Sequence, residues 1–180
     1  MKLSSAILAA GFAAFSSHLA AEEVFVTAVG MKQGPFAGEI STKGFEGKVR
    51  AVGFSHEVLT SSDPGGRRQH KPIVITKRVG ASSPQFFQAW IMNEPLKSVT
   101  IDFTDALEGG LGAAAAPRRL VYQITLQNAV VVRIAQRLEA PAPNAAPVHL
   151  EEISLAYQSI TVTSPRESHT ASDSVNSSMR

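Results

Sequence analysis

Apolar and polar residues in this chain alternate one by one over long stretches, a period of two that marks strands with a single buried face. Val99, Ile101 and Phe103 alternate with Ser98, Thr100, Asp102 and Thr104. Leu120, Tyr122, Ile124 and Leu126 alternate with Gln123, Thr125 and Gln127. Val130, Val132 and Ile134 are predicted on one face, with Arg133 and Arg137 opposite. Val52, Phe54 and Val58 share a face, with His56 among them, and Val24–Val29 and Ile73–Ile75 mark two more strands. Ile153, Leu155 and Tyr157 face one way, Ile160 and Val162 the other, so a β-bulge is expected near Gln158–Ser159. The pattern amounts to about seven strands.

One segment breaks this period. Ser83 is a candidate N-cap, and Pro84 follows at the first helical position, where a missing N–H costs nothing. Phe87, Trp90 and Ile91 then form an i, i+3, i+4 stripe, with Phe86 four residues before Trp90. Asn93 and Pro95 end the helix. The stripe is expected to form the core face of a short helix that plugs the sheet, with Trp90 and Phe87 buried.

The chain has 180 residues, of which 44% are hydrophobic, enough for one domain with its own core. There is no cysteine, which excludes disulfides, zinc–cysteine sites and thiol nucleophiles. A formal charge of +2 is too small to point to nucleic acid. Residues 1–21 resemble a secretory leader. Lys2 precedes the apolar run Leu3–Phe15, and Ala20-Ala21 offers a cleavage point. That run is too short for a stable membrane anchor. The expected domain is 22–165, followed by a polar tail, 166–180, expected to be disordered.

Catalytic and ligand-binding patterns are weak. Gly110-x-Gly112-x-x-Ala115 has the form of a dinucleotide fingerprint, but Pro117 stops any helix and no βαβ pattern follows. Ser55, His56 and Glu57 are neighbours on a strand, so they point to alternate faces and cannot form a triad. His56 is read as a hydrogen-bonded core or interface residue. His149 and Glu151 share a face and form either half a metal site or, the preferred reading, a solvated strand entrance. Asp102 and Asp105 are read as solvated charges. Arg67, Arg68, His70 and Lys71 gather at one junction and fit an acidic protein surface, for which Glu151-Glu152 is a candidate. These readings leave no enzyme, cofactor or metal expected.

Four segments carry a more specific signal: VGFSHEV (52–58), GGRRQHKPIVITK (65–77), ASSPQFFQAW (81–90) and HLEEISLAYQSI (149–160). In sequence and order they resemble the hemolysin-coregulated protein (Hcp) family, the tube protein of type VI secretion. The resemblance implies a compact β-barrel of two packed antiparallel sheets with one short α-helix. It also implies homo-hexameric rings that stack into a tube, with sheath, spike and effector proteins as partners and no catalytic site. The family's loop between its second and third strands reaches into the next ring. Here it corresponds to about Leu59–Arg68, and Asp63, Arg67 and Arg68 are the expected inter-ring contacts. The leader departs from this pattern, because tube subunits assemble in the cytoplasm. A secreted location, extracellular or periplasmic, fits instead a monomeric binding or adhesion module on the same barrel.

Overall fold

The computed structural model describes residues 22–60, 68–106, 118–142 and 144–175. In chain order the elements are β1 (Glu23–Gly30), β2 (Gly34–Pro35), β3 (Val49–Ser55), β4 (Val58–Thr60), β5 (Arg68–His70), β6 (Ile73–Arg78), α1 (Ser83–Ile91), β7 (Leu96–Ala106), β8 (Arg118–Glu139), β9 (Val148–Ala156), β10 (Ser159–Ser164) and β11 (His169–Ser174). The chain is mainly β. Strands β8, β7, β1, β3, β6 and β9 pair antiparallel in that order, and β9 returns to β8 to close a six-stranded barrel. The predicted leader 1–21, the glycine fingerprint and Asn176–Arg180 lie outside the described residues.

The alternating pattern sets the barrel interior. Val99 and Ile101 of β7, Ile124 and Leu126 of β8, and Ile153 and Leu155 of β9 are all buried. Loss of apolar surface to water on this scale, about 25 cal/mol per Å², is the main stabilising term. On the outer face of β1, Phe25 is buried too. The loop from Phe36 to Lys48 lies over it, stacking Phe45 on Phe25 at 4.7 Å. Gly38 is required there, since a Cβ would stand 2.2 Å from the Lys48 carbonyl oxygen. This cover also buries Asp102, which accepts from Lys48 Nζ at 2.5 Å and Gln123 Nε2 at 2.8 Å. Asp102 is therefore a buried ion-pair member and not the solvated charge its polar strand face suggested.

Two runs are out of the expected phase. In β3, Val49 and Ala51 point inward and Val52 is exposed, because the register against β6 shifts between Ala51 and Gly53. Val58 is likewise exposed, since the chain has left the barrel by then. In β8, Asn128 takes φ 49°, and the next buried residues are Ala129 and Val131, with Val132 exposed. A second shift, between Val131 and Arg133, brings Ile134 back onto the core. Asn128 also marks a change of partner: residues 123–127 of β8 pair with β10, and 130–139 pair mainly with β9. The expected irregularity at Gln158–Ser159 is the matching break between β9 and β10, with Gln158 N donating to Gln127 O.

Two expectations need correction. The helix exists with Pro84 in its first turn, but its inward residues are Phe86 and Ala89, 2% and 1% exposed. Phe87, Trp90 and Ile91 are 50%, 44% and 52% exposed, so the stripe is the outer face. Both faces of α1 are apolar, and Phe86 takes the inner place by packing edge-on against Phe36 at 4.9 Å. Ser82, not Ser83, precedes the helix, and its side chain makes no capping bond. The tail, too, is structured over its described residues, 166–175. β11 pairs with β10 over six residues, Thr161 and Ser172 share a hydroxyl hydrogen bond, and Val175 packs on the core. Its Ser and Thr residues suit a strand extending an open sheet edge, which a count of apolar residues does not register.

Candidate functional site

Strands β4 and β5 form a two-stranded arm with its own ladder, separate from the barrel sheet. It pairs Val58 with His70, Leu59 with Gln69 and Thr60 with Arg68, and the Lys71 N–H donating to Glu57 O extends the pairing towards the root. Val58 and Leu59 are exposed on it. The arm occupies the stretch expected to hold the inter-ring loop. Asp63 and Arg67 lie in 61–67, outside the described residues. Arg68 is described, and it is already engaged. Its Nε lies 2.9 Å from Asp173 Oδ2 and its Nη2 3.1 Å from Oδ1.

The root of the arm contains a network that no sequence motif announced. His56 Nε2 lies 2.8 Å from the Tyr157 hydroxyl, which is 3.0 Å from His70 Nδ1. His70 Nε2 lies 3.0 Å from Asp173 Oδ2. Burial and, less strongly, Asp173 push the Tyr157 phenol up to about 12. Burial, then the nearby His70, lower the His56 imidazole. The hydrogen bond from His70 holds Asp173 below the usual carboxylate range, helped by Ser174 N and Arg68. His56 is thus the hydrogen-bonded residue expected of it.

The expected basic-to-acidic match does not form a free surface. Lys71 pairs with Glu57 at 2.8 Å, and Arg68 and His70 with Asp173. Glu151 is buried: its Oε1 lies 2.8 Å from Lys77 Nζ, each side chain 1% exposed. Ser83 Oγ donates to the same oxygen at 2.5 Å and Gln136 Nε2 to the other at 3.1 Å. Burial alone would raise the Glu151 carboxyl, but these donors and the Lys77 charge hold it below its ordinary value. Glu152 is taken by Arg133 and Arg137. His149 is exposed while Glu151 is enclosed, and the described residues contain no cluster of three or more His, Asp or Glu able to hold a metal. A groove of about 380 Å³ runs over Val52, Thr76, Val148 and Leu150, and the Arg137 and Glu139 at its rim pair with each other.

A second surface lies on α1. Phe87 and Trp90 are in contact, with centroids 5.8 Å apart, and with Ile91 and Met92 they expose a continuous apolar face. Apolar side chains exposed together on one helix make it a candidate contact surface.

Residues 25–163 match the family described as type VI secretion system effector, Hcp. This chain belongs to the Hcp family. Over 133 residues, 70% of this chain and 74% of the relative, it is 32% identical to the "Major exported protein" of Pseudomonas aeruginosa. Among solved structures, the Hcp barrel is similar to secreted protein Hcp3 from P. aeruginosa, with TM-score 0.70 and 28% identity over 87% of this chain and 100% of that one. A further Hcp crystal structure superposes with TM-score 0.72 at 21% identity, over 86% and 98% of the two chains, a likeness of fold. Strand β11 and the tail carboxylate of Asp173 fall beyond the residues matched to the Hcp family.

Proposed function

We propose that this Hcp is a structural ring subunit of a type VI secretion tube, with six copies per ring, rings stacked through the β4–β5 arm and effectors carried in the lumen. The observation that carries this reading is the exposed apolar face of α1, together with an arm whose ladder is separate from the barrel sheet. Neither serves the core of its own subunit, and both are suited to covering by further copies. Within a ring, Phe87, Trp90 and Ile91 supply apolar contact. Between rings, the arm supplies the reach, with Asp63, Arg67 and Arg68 as the charged contacts. Light scattering on the mature protein tests this. A species of six chain masses, lengthening into tubes at high concentration, is expected. A monomer at all accessible concentrations overturns the ring.

The apolar Leu3–Phe15 run favours a second reading, a secreted monomeric binding or adhesion module. The name of the P. aeruginosa relative supports export of this chain too, by whichever route. N-terminal sequencing separates the routes. Processing near Ala21 in the exported protein supports the leader, and an intact Met1 form in a cytoplasmic pool supports tube assembly.

A further inference from the structure

We infer that β11 is a strap that fixes the direction of the β4–β5 arm through Asp173, and that the strap loosens when the His56–Tyr157–His70 chain takes up a second proton. The assignment of the arm to ring stacking rests on the function proposed above; the strap itself does not.

Both roots of the arm enter this network. His56 stands between β3 and β4, and His70 ends β5. Tyr157, at the break between β9 and β10, joins the two imidazoles on the barrel side. Asp173 joins Arg68 and His70 on the tail side. The strap is anchored behind that point, because Val175 N donates to Gln158 O at 2.7 Å and the Val175 side chain packs on the core. Among the described residues, the other charged groups at the roots are Glu57 and Lys71, which pair with each other.

Counting protons decides the behaviour of the chain. A carboxylate only accepts, so His70 Nε2 carries a hydrogen and donates to Asp173. In neutral His70, Nδ1 then accepts from the Tyr157 hydroxyl, whose oxygen accepts from His56 Nε2–H. One added proton is tolerated. With His70 protonated, Nδ1–H donates to the phenol oxygen, and the phenol turns to donate to His56 Nε2 in its other tautomer. With both imidazoles protonated, two donors face one phenol, and its O–H has no acceptor in the chain. The network then holds three cations, His56, His70 and Arg68, of which His70 and Arg68 pair with its single carboxylate, Asp173. The half-buried His56 has its imidazole pKa lowered from 6.5, first by burial and then by His70. Its contribution is complete above 6.5 and is lost as the pH falls below that value. Asp173 is depressed from 3.8, so it stays charged through that window.

Amide hydrogen exchange on the full chain tests the strap whatever the state of assembly. Asp173→Asn is expected to speed exchange of the arm amides, at 58–60 and 68–70, by about ten-fold or more at neutral pH, with the β10 amides unchanged. Corrected for intrinsic rates, wild type is expected to lose similar protection as the pH falls below 6.5, and His56→Gln to keep it. Arm exchange within about two-fold of wild type in Asp173→Asn, or the same pH response in His56→Gln as in wild type, overturns the inference. In scattering, wild-type tubes that become single rings in Asp173→Asn connect the strap to stacking. Wild-type rings that never stack defeat the stacking role alone, while the exchange result still decides the strap.

Discussion

The buried pair of Lys77 and Glu151 offers the sharpest test of how the fold is held. It links three elements: Lys77 on β6, Glu151 on β9, and Ser83 at the start of α1. Replacing Glu151 with Ala strands the Lys77 ammonium in a site where its remaining acceptors are Arg78 O and Ser83 Oγ. Breaking such a pair from one side costs about 3–5 kcal/mol. At about 2–4 °C per kcal/mol for a domain of this size, the melting temperature should fall by roughly 6–20 °C. The double variant Lys77→Met, Glu151→Leu removes both charges and should recover most of that loss, because the pair's attraction is largely offset by desolvation. The acid limb carries a second signature. A carboxyl depressed in the fold contributes stability above its unfolded pKa and loses it as the pH falls through the folded value. Glu151 is depressed from 4.5, so Glu151→Gln should be less sensitive to pH below about 4.5 than wild type. Urea unfolding at several pH values, at one fixed protein concentration, reads both effects. A Glu151→Ala variant within about 1 kcal/mol of wild type would show that the pair is not buried in solution.

Phe86→Ala should destabilise the subunit by about 3–5 kcal/mol in the same assay, as a buried aromatic. Trp90→Ala should leave subunit melting nearly unchanged and lower the oligomer mass in light scattering; the reverse order of effects would mean that α1 is rotated. Trp90 is the only tryptophan, so a blue shift of its emission with rising concentration should follow ring formation, and constant emission would exclude it from the contact. Ultraviolet titration should show the Tyr157 phenol ionising at about 12, visible as the difference between wild type and Tyr157→Phe. A Tyr157 that ionises near 10 would place its hydroxyl in water and remove the network at the arm's root.

The strands were legible because burial on one face imposes a strict period of two, and Val99, Ile101, Ile124, Leu126, Ile153 and Leu155 all obey it. The barrel's closure was not legible from the period. It depends on β8 serving two partners on one edge, and the change of partner falls at a single asparagine with φ 49°. The bulge after Ala51 is equally silent, since Val52 and Phe54 look interchangeable with Val49 and Ala51 by polarity alone. At the arm, charge type was readable and partnership was not. Arg68 and His70 were seen as basic, but their acid comes from Asp173, about a hundred residues later, in a tail whose composition suggested no structure.

The misread apolar positions have a common property. Val52, Val58, Val132, Phe87, Trp90 and Ile91 were each assigned inward because they are apolar, and each is exposed in the single chain. A rule that apolar residues belong inside assumes that the chain is the whole folding unit. In the ring proposed above, the same residues would satisfy the rule only in the assembly. The barrel core is already complete without them, since Phe86, Ala89, Val49, Ala51, Ala129 and Val131 hold the corresponding inner positions. A chain with two sets of apolar residues on one helix and two strands has more apolar surface than its own interior can use. That excess, spread over α1, the arm, β3 and β8, is the surface that the proposed ring and stack would cover.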